Sequence, residues 1–230
     1  MKTEQDYTAM QKQYYEDGTP VMAIQNHLFH NDNPEYWSIL LKPLQSGDWS
    51  DKTVLDFGCG CGRNVMNVLK TFNVKEAHGC DISSNNVEYS KKFVLDQTGK
   101  TNFHFFATDG QSLQPGESNA YDLIFSTIVL QHIPVHNIRK KIMTDFYRCV
   151  KPGGMISFQM GFGSAGHRVA SYYENATHAE TTNGGYDVQI TDPKNLVDDL
   201  VEIGFKDVNY VIGQPWTDQH SNWIYVTAVK

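Results

Sequence analysis

A glycine-rich turn and an acidic residue after the next apolar run are the parts of this chain best suited to chemistry. Residues 54–64 read Val-Leu-Asp-Phe-Gly-Cys-Gly-Cys-Gly-Arg-Asn, between a strand-like and a helical pattern. Glycine permits the sharp turn and the close approach of backbone to a ligand, and the helix start offers free N–H groups to an anion. Asp81 closes the next apolar run, where a carboxylate can accept hydrogen bonds from ribose hydroxyls. We therefore expect a nucleoside-containing ligand at this turn.

His132 is the candidate catalytic residue. It follows the apolar run 123–130, at the edge where ligands bind to parallel sheets. Its ordinary pKa suits a general base for an alcohol or phenol, although a histidine that only orders the loop before Pro134 fits the sequence equally well. His136 has a metal-like spacing from His132, but Pro134 between them interrupts a helix. We expect no metal site.

The segment 161–190 combines glycines with aromatic and histidine side chains, and we predict that it forms a substrate lid. A disordered surface insertion would carry more charge and fewer aromatic residues. The loop 214–220 between the last two strands is expected to open on the same edge, although its tryptophan could equally cover the core. The candidate substrate-binding residues are His167, Arg168, Tyr172, Tyr173, Trp216 and His220.

The elements that must position these residues alternate in pattern from Lys52 onward. Short β-branched runs alternate with amphipathic ones, which is typical of βαβ units and a parallel sheet. The last two strands are joined by a loop too short for a crossover helix, so we expect them to be antiparallel. Strands are predicted at 53–57, 74–80, 103–107, 121–126, 155–160, 207–212 and 223–229, and helices at 64–71, 84–98, 138–150 and 192–203.

The predicted fold is therefore α/β, with a Rossmann-like, doubly wound, mostly parallel seven-stranded sheet that ends in an antiparallel hairpin. We expect one domain over 1–230. Its parts are a helical cap at 1–50 with helices near 4–15 and 34–44, a cofactor-binding core at 52–160, the lid at 161–190, and a closing helix and hairpin at 191–230.

Composition disfavours several classes of partner. The 19 basic and 26 acidic side chains give a net charge of −7, whereas binding to nucleic acid depends on clustered Lys and Arg. The N-terminus is polar, and the most apolar stretch, 123–130, is far shorter than a membrane span. The four cysteines have neither disulfide-like nor zinc-knuckle spacing. We expect a cytoplasmic protein with reduced thiols and no nucleic-acid or membrane partner.

Taken together, these motifs resemble those of the class I S-adenosylmethionine-dependent methyltransferases. Residues 55–62 are similar to the glycine loop of that family, Asp81-Ile82-Ser83 to its acid after the second strand, and Asp109-Gly110 to its acid after the third. Residues 121–134 are similar to its fourth strand, and Val150 to Met155 to its turn into the fifth. The resemblance implies that the loop holds the methionine part of the cofactor, Asp81 the ribose and Asp109 the adenine amino group.

The resemblance also implies S-adenosylmethionine as the cofactor. Two aromatic residues of the cap resemble a pair found near the cofactor carboxylate in small-molecule methyltransferases, and the arginine after the glycine loop could reach the same carboxylate or remain solvated. The candidate cofactor-binding residues are Asp56, Gly58, Cys59, Gly60, Gly62, Arg63, Asp81, Ile82, Asp109, Gly110, Ser126, Tyr14 and Tyr15.

The reaction implied by the resemblance is direct methyl transfer to an oxygen or nitrogen of a small-molecule acceptor. Strand four continues as Ser126-Thr127-Ile128-Val129, without the Asn/Asp-Pro-Pro-Tyr run of enzymes that methylate nucleobase or amide nitrogens. An NAD(P)-dependent oxidoreductase is one alternative, against which Arg63 in place of the last fingerprint glycine argues. A non-catalytic protein that binds S-adenosylmethionine is the other.

Overall fold

A computed structural model describes residues 2–28, 36–179, 186–214 and 220–230, with the side chains of 20–28 and 36–37 left aside. The chain forms nine strands in these ranges. They are β1 (Thr53–Phe57), β2 (Glu76–Asp81), β3 (Phe103–Ala107), β4 (Tyr121–Thr127), β5 (Val150–Ala165), β6 (Val169–Ser171), β7 (Asp187–Gln189), β8 (Lys206–Gly213) and β9 (His220–Val229).

Seven of these strands form one sheet in the order β3-β2-β1-β4-β5-β9-β8. The first five run parallel, and β9 pairs antiparallel with both β5 and β8. Strands β6 and β7 pair parallel with each other, apart from the main sheet. The predicted mostly parallel seven-stranded sheet with a terminal antiparallel pair is thus confirmed.

Helices cover both faces of the sheet, which explains why the central strands β1 and β4 are buried along almost their whole length. The helices are α1 (Glu4–Leu28), α2 (Arg63–Thr71), α3 (Ser84–Thr98), α4 (His136–Cys149) and α5 (Lys194–Ile203). Helices α4 and α5 pack on one face, and α2 and α3 pack on the other together with the turns at Tyr36–Leu40 and Lys42–Gln45. None of the described helices combines the length and apolar character needed to cross a bilayer.

The N-terminal part differs from its prediction. Helix α1 continues to Leu28, well past the predicted end at residue 15, while the predicted helix at 34–44 is replaced by two short turns. Within the predicted helix 84–98, Leu95 is 45% exposed, whereas Val94 is fully buried. The sequence pattern of α1 does not reveal where the helix ends, because contacts with the rest of the protein support its later turns.

The segment 161–190 also differs from its predicted irregular structure. Strand β5 continues to Ala165 beside β9, and β6 and β7 then form a small parallel pair. Ala170 of β6 packs together with Ala176 and Ala179. Pairing with β9 supplies the backbone hydrogen bonds that extend β5, so its own glycines do not end the strand.

Candidate active site

The glycine loop joins β1 to α2 and has left-handed backbone at all three glycines. At Gly58, where φ is +71°, an added Cβ would lie 2.3 Å from the side chain of Val129. At Gly60, where φ is +52°, an added Cβ would meet no described atom within 4 Å. Glycine at 58 therefore lets the loop pack against the chain that follows β4. Glycine at 60 leaves open space at the edge where a ligand is expected.

Asp81, at the end of β2, is tied directly to this loop. Its Oδ2 accepts the N–H of Gly60 at 2.9 Å, and its Oδ1 accepts from the Ser83 N–H at 2.9 Å and the Asn86 amide at 3.2 Å. Burial raises the pKa of Asp81 to about 6, although the hydrogen bonds act in the opposite direction. Three donors leave about one of four lone-pair directions free. Asp81 can thus accept about one further hydrogen bond from a ligand.

The end of β3 lies beside this carboxylate. The Thr108 N–H donates to the Asp81 carbonyl at 2.9 Å, and an added Cβ at Gly110 would lie 2.4 Å from Ile82. Asp109 is exposed, and its Oδ1 accepts from the backbone N–H groups of Gln111 and Ser112. Asp81, Ile82, Asp109 and Gly110 are therefore brought together. The predicted role of Asp109 toward an adenine amino group stays a prediction, because its carboxylate also closes its own turn.

Two of the predicted cofactor residues lie inside the protein. Asp56 is fully buried on β1, and burial raises its pKa well above the usual range against the opposing charge of Arg63. Ser126 is 1% exposed, and its hydroxyl donates to the Phe57 carbonyl at 2.9 Å. Because both side chains are buried, the expected direct contact with a cofactor is not available to either. The Ser126 hydroxyl instead ties β4 to the end of β1.

The cysteines of the loop are buried as well. Burial raises the pKa of Cys59 well above its usual range and that of Cys61 to about 12. Burial therefore disfavours, at both residues, the thiolate form that redox chemistry would use. All four cysteines are free. Cys59 and Cys61 act as small buried side chains in a tight turn.

Helix α1 lies across the cofactor edge and is fixed there by Glu16. The Glu16 carboxylate accepts from the N–H groups of Ser84 at 2.9 Å and Asn85 at 3.0 Å, and from the Ser83 hydroxyl at 3.1 Å. These groups belong to the first turn of α3, whose free N–H groups attract a negative charge. Glu16 thus caps α3 from another helix and holds α1 over the end of β2.

The tyrosine pair of α1 is in edge-to-face contact, with ring centroids 5.1 Å apart. Tyr14 is 42% exposed, whereas Tyr15 is half-buried. Burial raises the pKa of Tyr15, and the charges of Asp81 and Asp187 raise it further. The hydroxyl of Tyr15 therefore lies within electrostatic reach of both carboxylates. Of the predicted pair, Tyr15 is therefore the member whose pKa responds to the carboxylates Asp81 and Asp187.

His132 lies in the helical turn Leu130–His132, directly after β4, and pairs with a residue that the sequence did not single out. Its Nδ1 is 2.6 Å from Oδ1 of Asp187 on β7. The His132 side chain is 26% exposed, whereas that of Asp187 is 2% exposed. The imidazole is therefore held from behind by a buried carboxylate, with part of its ring toward solvent. This arrangement suits a group that gives and takes a proton.

Asp187 gathers further donors around its second oxygen. Oδ2 is 3.0 Å from Nε2 of His220, 3.1 Å from Nε2 of His167 and 3.4 Å from the amide of Gln131. His167 and His220 were predicted to bind substrate, but the side chain of His220 is fully buried. Its role is to support Asp187, because it has no surface to offer a substrate.

The atoms of His167, Asp187 and His220 lie within 4.8 Å of one another and include the ligand types of a divalent metal. The Nδ1 atom of His220 is buried and has no partner among the described residues. Metal-bound histidines almost always donate their second N–H to a carboxylate, carbonyl or water. The geometry therefore favours a His220 that donates from Nε2 to Asp187 and keeps Nδ1 as a bare acceptor.

Two further predicted substrate residues lie elsewhere. Tyr172 is 3% exposed and donates its hydroxyl to Oδ2 of Asp199 on α5 at 2.8 Å, while Tyr173 packs edge-to-face on His136 and is exposed. Tyr172 is therefore part of the core beside α5, and Tyr173 lies on the surface beside α4. Their predicted role in substrate binding stays a prediction. Their aromatic character reflects packing on these helices. Arg168 is exposed, with its guanidinium 5.7 Å from the Tyr186 ring, and Trp216 lies outside the described residues.

Ile128 adopts a left-handed backbone, with φ of +56°, between β4 and the turn that carries His132. Its N–H donates to the Gln159 side chain at 3.0 Å, and Gln159 also approaches the Thr127 hydroxyl at 3.4 Å. A β-branched residue in this conformation is strained and is found mostly where the surroundings impose it. Gln159 of β5 thus helps to set the direction in which the chain leaves β4 toward His132.

The main residue missed from sequence is Asp187. It is far from His132 along the chain, on a strand of three residues, and no motif marks it. The signal available was local, since Asp187 precedes the alternating run Val188-Gln189-Ile190 and so is an acid beside buried positions. Glu16 was missed because the side chain that caps α3 belongs to a different helix, so the sequence of neither helix shows a capping motif.

Comparison with known proteins agrees with this geometry. Residues 54–154 match the methyltransferase domain family. Phosphoethanolamine N-methyltransferase 2 of Caenorhabditis elegans is 31% identical over 124 residues, which are 53% of this chain and 27% of that protein. This chain therefore spans only about a quarter of that relative.

Solved structures show the same fold. Haemonchus contortus phosphoethanolamine N-methyltransferase 2 in complex with S-adenosyl-L-methionine has a TM-score of 0.69 and 18% identity, over 94% of this chain and 60% of that one. The [4+2]-cyclase SpnF has a TM-score of 0.72 and 16% identity, over 99% and 96%. The second example shows that the fold alone does not fix the reaction.

Proposed function

Since residues 54–154 belong to the methyltransferase domain family, within the fold of class I S-adenosylmethionine-dependent methyltransferases, we propose that this chain methylates an oxygen or nitrogen of a small molecule. The observation that carries the proposal is the contact between Gly60 and Asp81, with the Asp187-backed His132 at the same sheet edge. One site then binds a nucleoside cofactor, and the neighbouring group accepts a proton.

The residues of the cofactor site fit S-adenosylmethionine. Gly60 leaves open space, and Asp81 keeps about one acceptor direction for a ribose hydroxyl. Ile82 and Gly110 lie beside each other where the resemblance expects the adenine. When bound, this cofactor supplies a methyl group on a positively charged sulfur. The chain itself must align the acceptor and keep water away.

His132 is the proposed general base for an acceptor whose proton must leave. The ring is partly exposed at the sheet edge, and Asp187 can stabilise the imidazolium that forms. Tyr7 donates its hydroxyl to the His132 carbonyl at 3.1 Å, which fixes the backbone of the same residue. No covalent enzyme intermediate is needed for such a direct displacement.

Several features support a small acceptor. The net charge of −7 leaves no excess of cations for a nucleic acid, and the segment 161–190 contributes Asp187 to the region beside His132. The C. elegans relative is named for methylation of phosphoethanolamine, a small molecule. The proposed lid role of 161–190 and a cytoplasmic location, which free buried cysteines favour, belong to the same proposal.

The proposal is tested by transfer of an isotopically labelled methyl group from S-adenosylmethionine in a metabolite extract. We expect label in the small-molecule fraction, with about a 100-fold or greater loss of rate in His132→Asn. His104→Asn is the matched control, because His104 is exposed on β3 and packs beside Phe106 away from the edge. Label in RNA or protein contradicts the acceptor class. Bound cofactor without any transfer would favour the non-catalytic alternative.

A further inference from the structure

We propose that Asp187 is the positioning residue of this site, and that it fixes the His132 ring with Nδ1 protonated and Nε2 free to face the acceptor. The proposal rests on the proposed function only where it gives Nε2 the role of a base. The orientation itself is a property of the protein without cofactor or acceptor. It can therefore be measured independently of turnover.

The first step is the direction of the hydrogen bond between the two residues. Asp187 is a carboxylate and can only accept, so the 2.6 Å contact requires a proton on Nδ1 of His132. Neutral imidazole carries one proton, which leaves Nε2 as the acceptor. No described residue makes a hydrogen bond to Nε2, and the ring is the most exposed member of the cluster around Asp187. The tautomer that a base requires is thus set by the protein.

The second step is that Asp187 itself cannot turn away. Gln131 donates to its Oδ2 and accepts the Gly161 N–H on its own Oε1 at 2.8 Å, which links the turn before α4 to β5. His220 donates to the same oxygen from β9. An added Cβ at Gly161 would lie 2.2 Å from the His220 ring, so only glycine lets this ring reach the carboxylate.

The third step is electrostatic. Burial alone would lower the pKa of His132, but the charge and hydrogen bond of Asp187 outweigh it and raise the pKa above the ordinary value. Burial likewise acts to raise the pKa of Asp187, yet the bonds and charges of the surrounding rings bring it well below its usual range. The titratable groups near this pair include His167 and His220, and also Tyr7 and Tyr15 from α1, on which the charge of Asp187 acts. Arg139 from α4 acts on Tyr7 in turn.

The chain offers a matched control in a second buried aspartate–histidine pair. Asp199 of α5 is 2.8 Å from Nε2 of His136 on α4, and both side chains are largely buried. This pair lies on the outer helices and bonds to Tyr172, away from His132. Asp199→Asn removes a comparable carboxylate and should leave His132 unchanged.

The test is a nitrogen-15 NMR titration of the histidine rings in the full chain without ligand. We expect His132 to be protonated on Nδ1 in its neutral form and to titrate above about 6.5, the ordinary value for histidine. In Asp187→Asn we expect its pKa to fall to or below that value and the tautomers to mix. In Asp199→Asn we expect a change at His136 only.

Several outcomes overturn the proposal. An unchanged His132 in Asp187→Asn would do so. If that variant fails to fold, the wild-type spectrum decides alone, because a neutral His132 protonated on Nε2 contradicts the assigned role. Zinc added at equimolar concentration is expected to leave the His167 and His220 signals in place. Their displacement by zinc would show that Asp187 belongs to a metal site instead.

Discussion

Two buried carboxylates of the candidate site have opposite electrostatic surroundings. Asp81 accepts hydrogen bonds from backbone and amide donors, and burial raises its pKa to about 6. Asp187 is surrounded by three histidine rings, and its pKa is lowered. Neighbouring groups with pKa values pushed apart are typical of sites where one binds and the other handles protons. Ligand binding by Asp81 should accordingly change with pH in the mildly acidic range.

Binding of S-adenosylmethionine should weaken as the pH falls through about 6. Above that pH the ionised Asp81 accepts from a ribose hydroxyl, and protonation below it removes the charge that makes this bond strong. With a pKa of about 6, a single such group raises the Kd roughly four-fold between pH 7.5 and 5.5. Calorimetric titrations across this range measure the effect.

The matched variants for this prediction are Asp81→Asn and Asp122→Asn. Asp122 lies near the start of β4, at the opposite end of the strand from the cofactor edge. Its carboxylate accepts hydrogen bonds from the Thr53 N–H and the Lys151 amine. Asp81→Asn should lower the affinity at pH 7.5 and remove most of the pH dependence, whereas Asp122→Asn should keep both. A wild-type Kd that stays constant down to pH 5.5 contradicts the role of Asp81.

Helix α1 is the element that most directly supports the cofactor edge of the sheet. Glu16 caps α3, and the Thr19 hydroxyl contacts the side chain of Asn86, which in turn donates to Asp81. The cap, the helix start and the ribose acceptor are thus one hydrogen-bonded chain. Sequence patterns predicted both helices but not this link, because the bonds join residues distant in sequence and use a polar face.

Glu16→Ala should remove the cap on α3 and destabilise the protein by about 1 kcal/mol. For a domain of this size, that corresponds to a fall in Tm of about 2–4 °C. Affinity for S-adenosylmethionine should fall as well, since Ser83 and Asn86 lose their alignment. Calorimetric unfolding and ligand titration check the two effects.

Asp17→Ala is the control for that variant, because Asp17 is exposed and accepts only from Gln13 within α1 among the described residues. Its Tm should remain within about 1 °C of wild type. Equal losses in both variants would mean that α1 is stabilised by its own helical structure and not by docking on α3.

Across the whole molecule, the sheet order places the glycine loop, Asp81 and His132 at one edge, as the alternating pattern predicted. Continuous apolar strands and glycine turns are local signals, so the core and the cofactor edge could be predicted from sequence. The support behind His132 could not, because Asp187 lies on the three-residue strand β7 and meets His220 from β9 only after folding. The position of Tyr172 and Tyr173 could not be predicted either, because aromatic composition does not distinguish a pocket from packing against helices such as α4 and α5.

The central claim, that this edge binds S-adenosylmethionine, is tested most directly by calorimetric titration of wild type, Gly60→Ala and Gly99→Ala. Gly60 and Gly99 have similar left-handed backbone, and an added Cβ meets no described atom within 4 Å at either, but Gly99 ends α3 away from the site. We predict saturable binding of S-adenosylmethionine and none of NAD to wild type and Gly99→Ala, and at least about a ten-fold weaker Kd in Gly60→Ala. Binding of NAD in place of S-adenosylmethionine, or equal affinity in the two variants, would contradict the account.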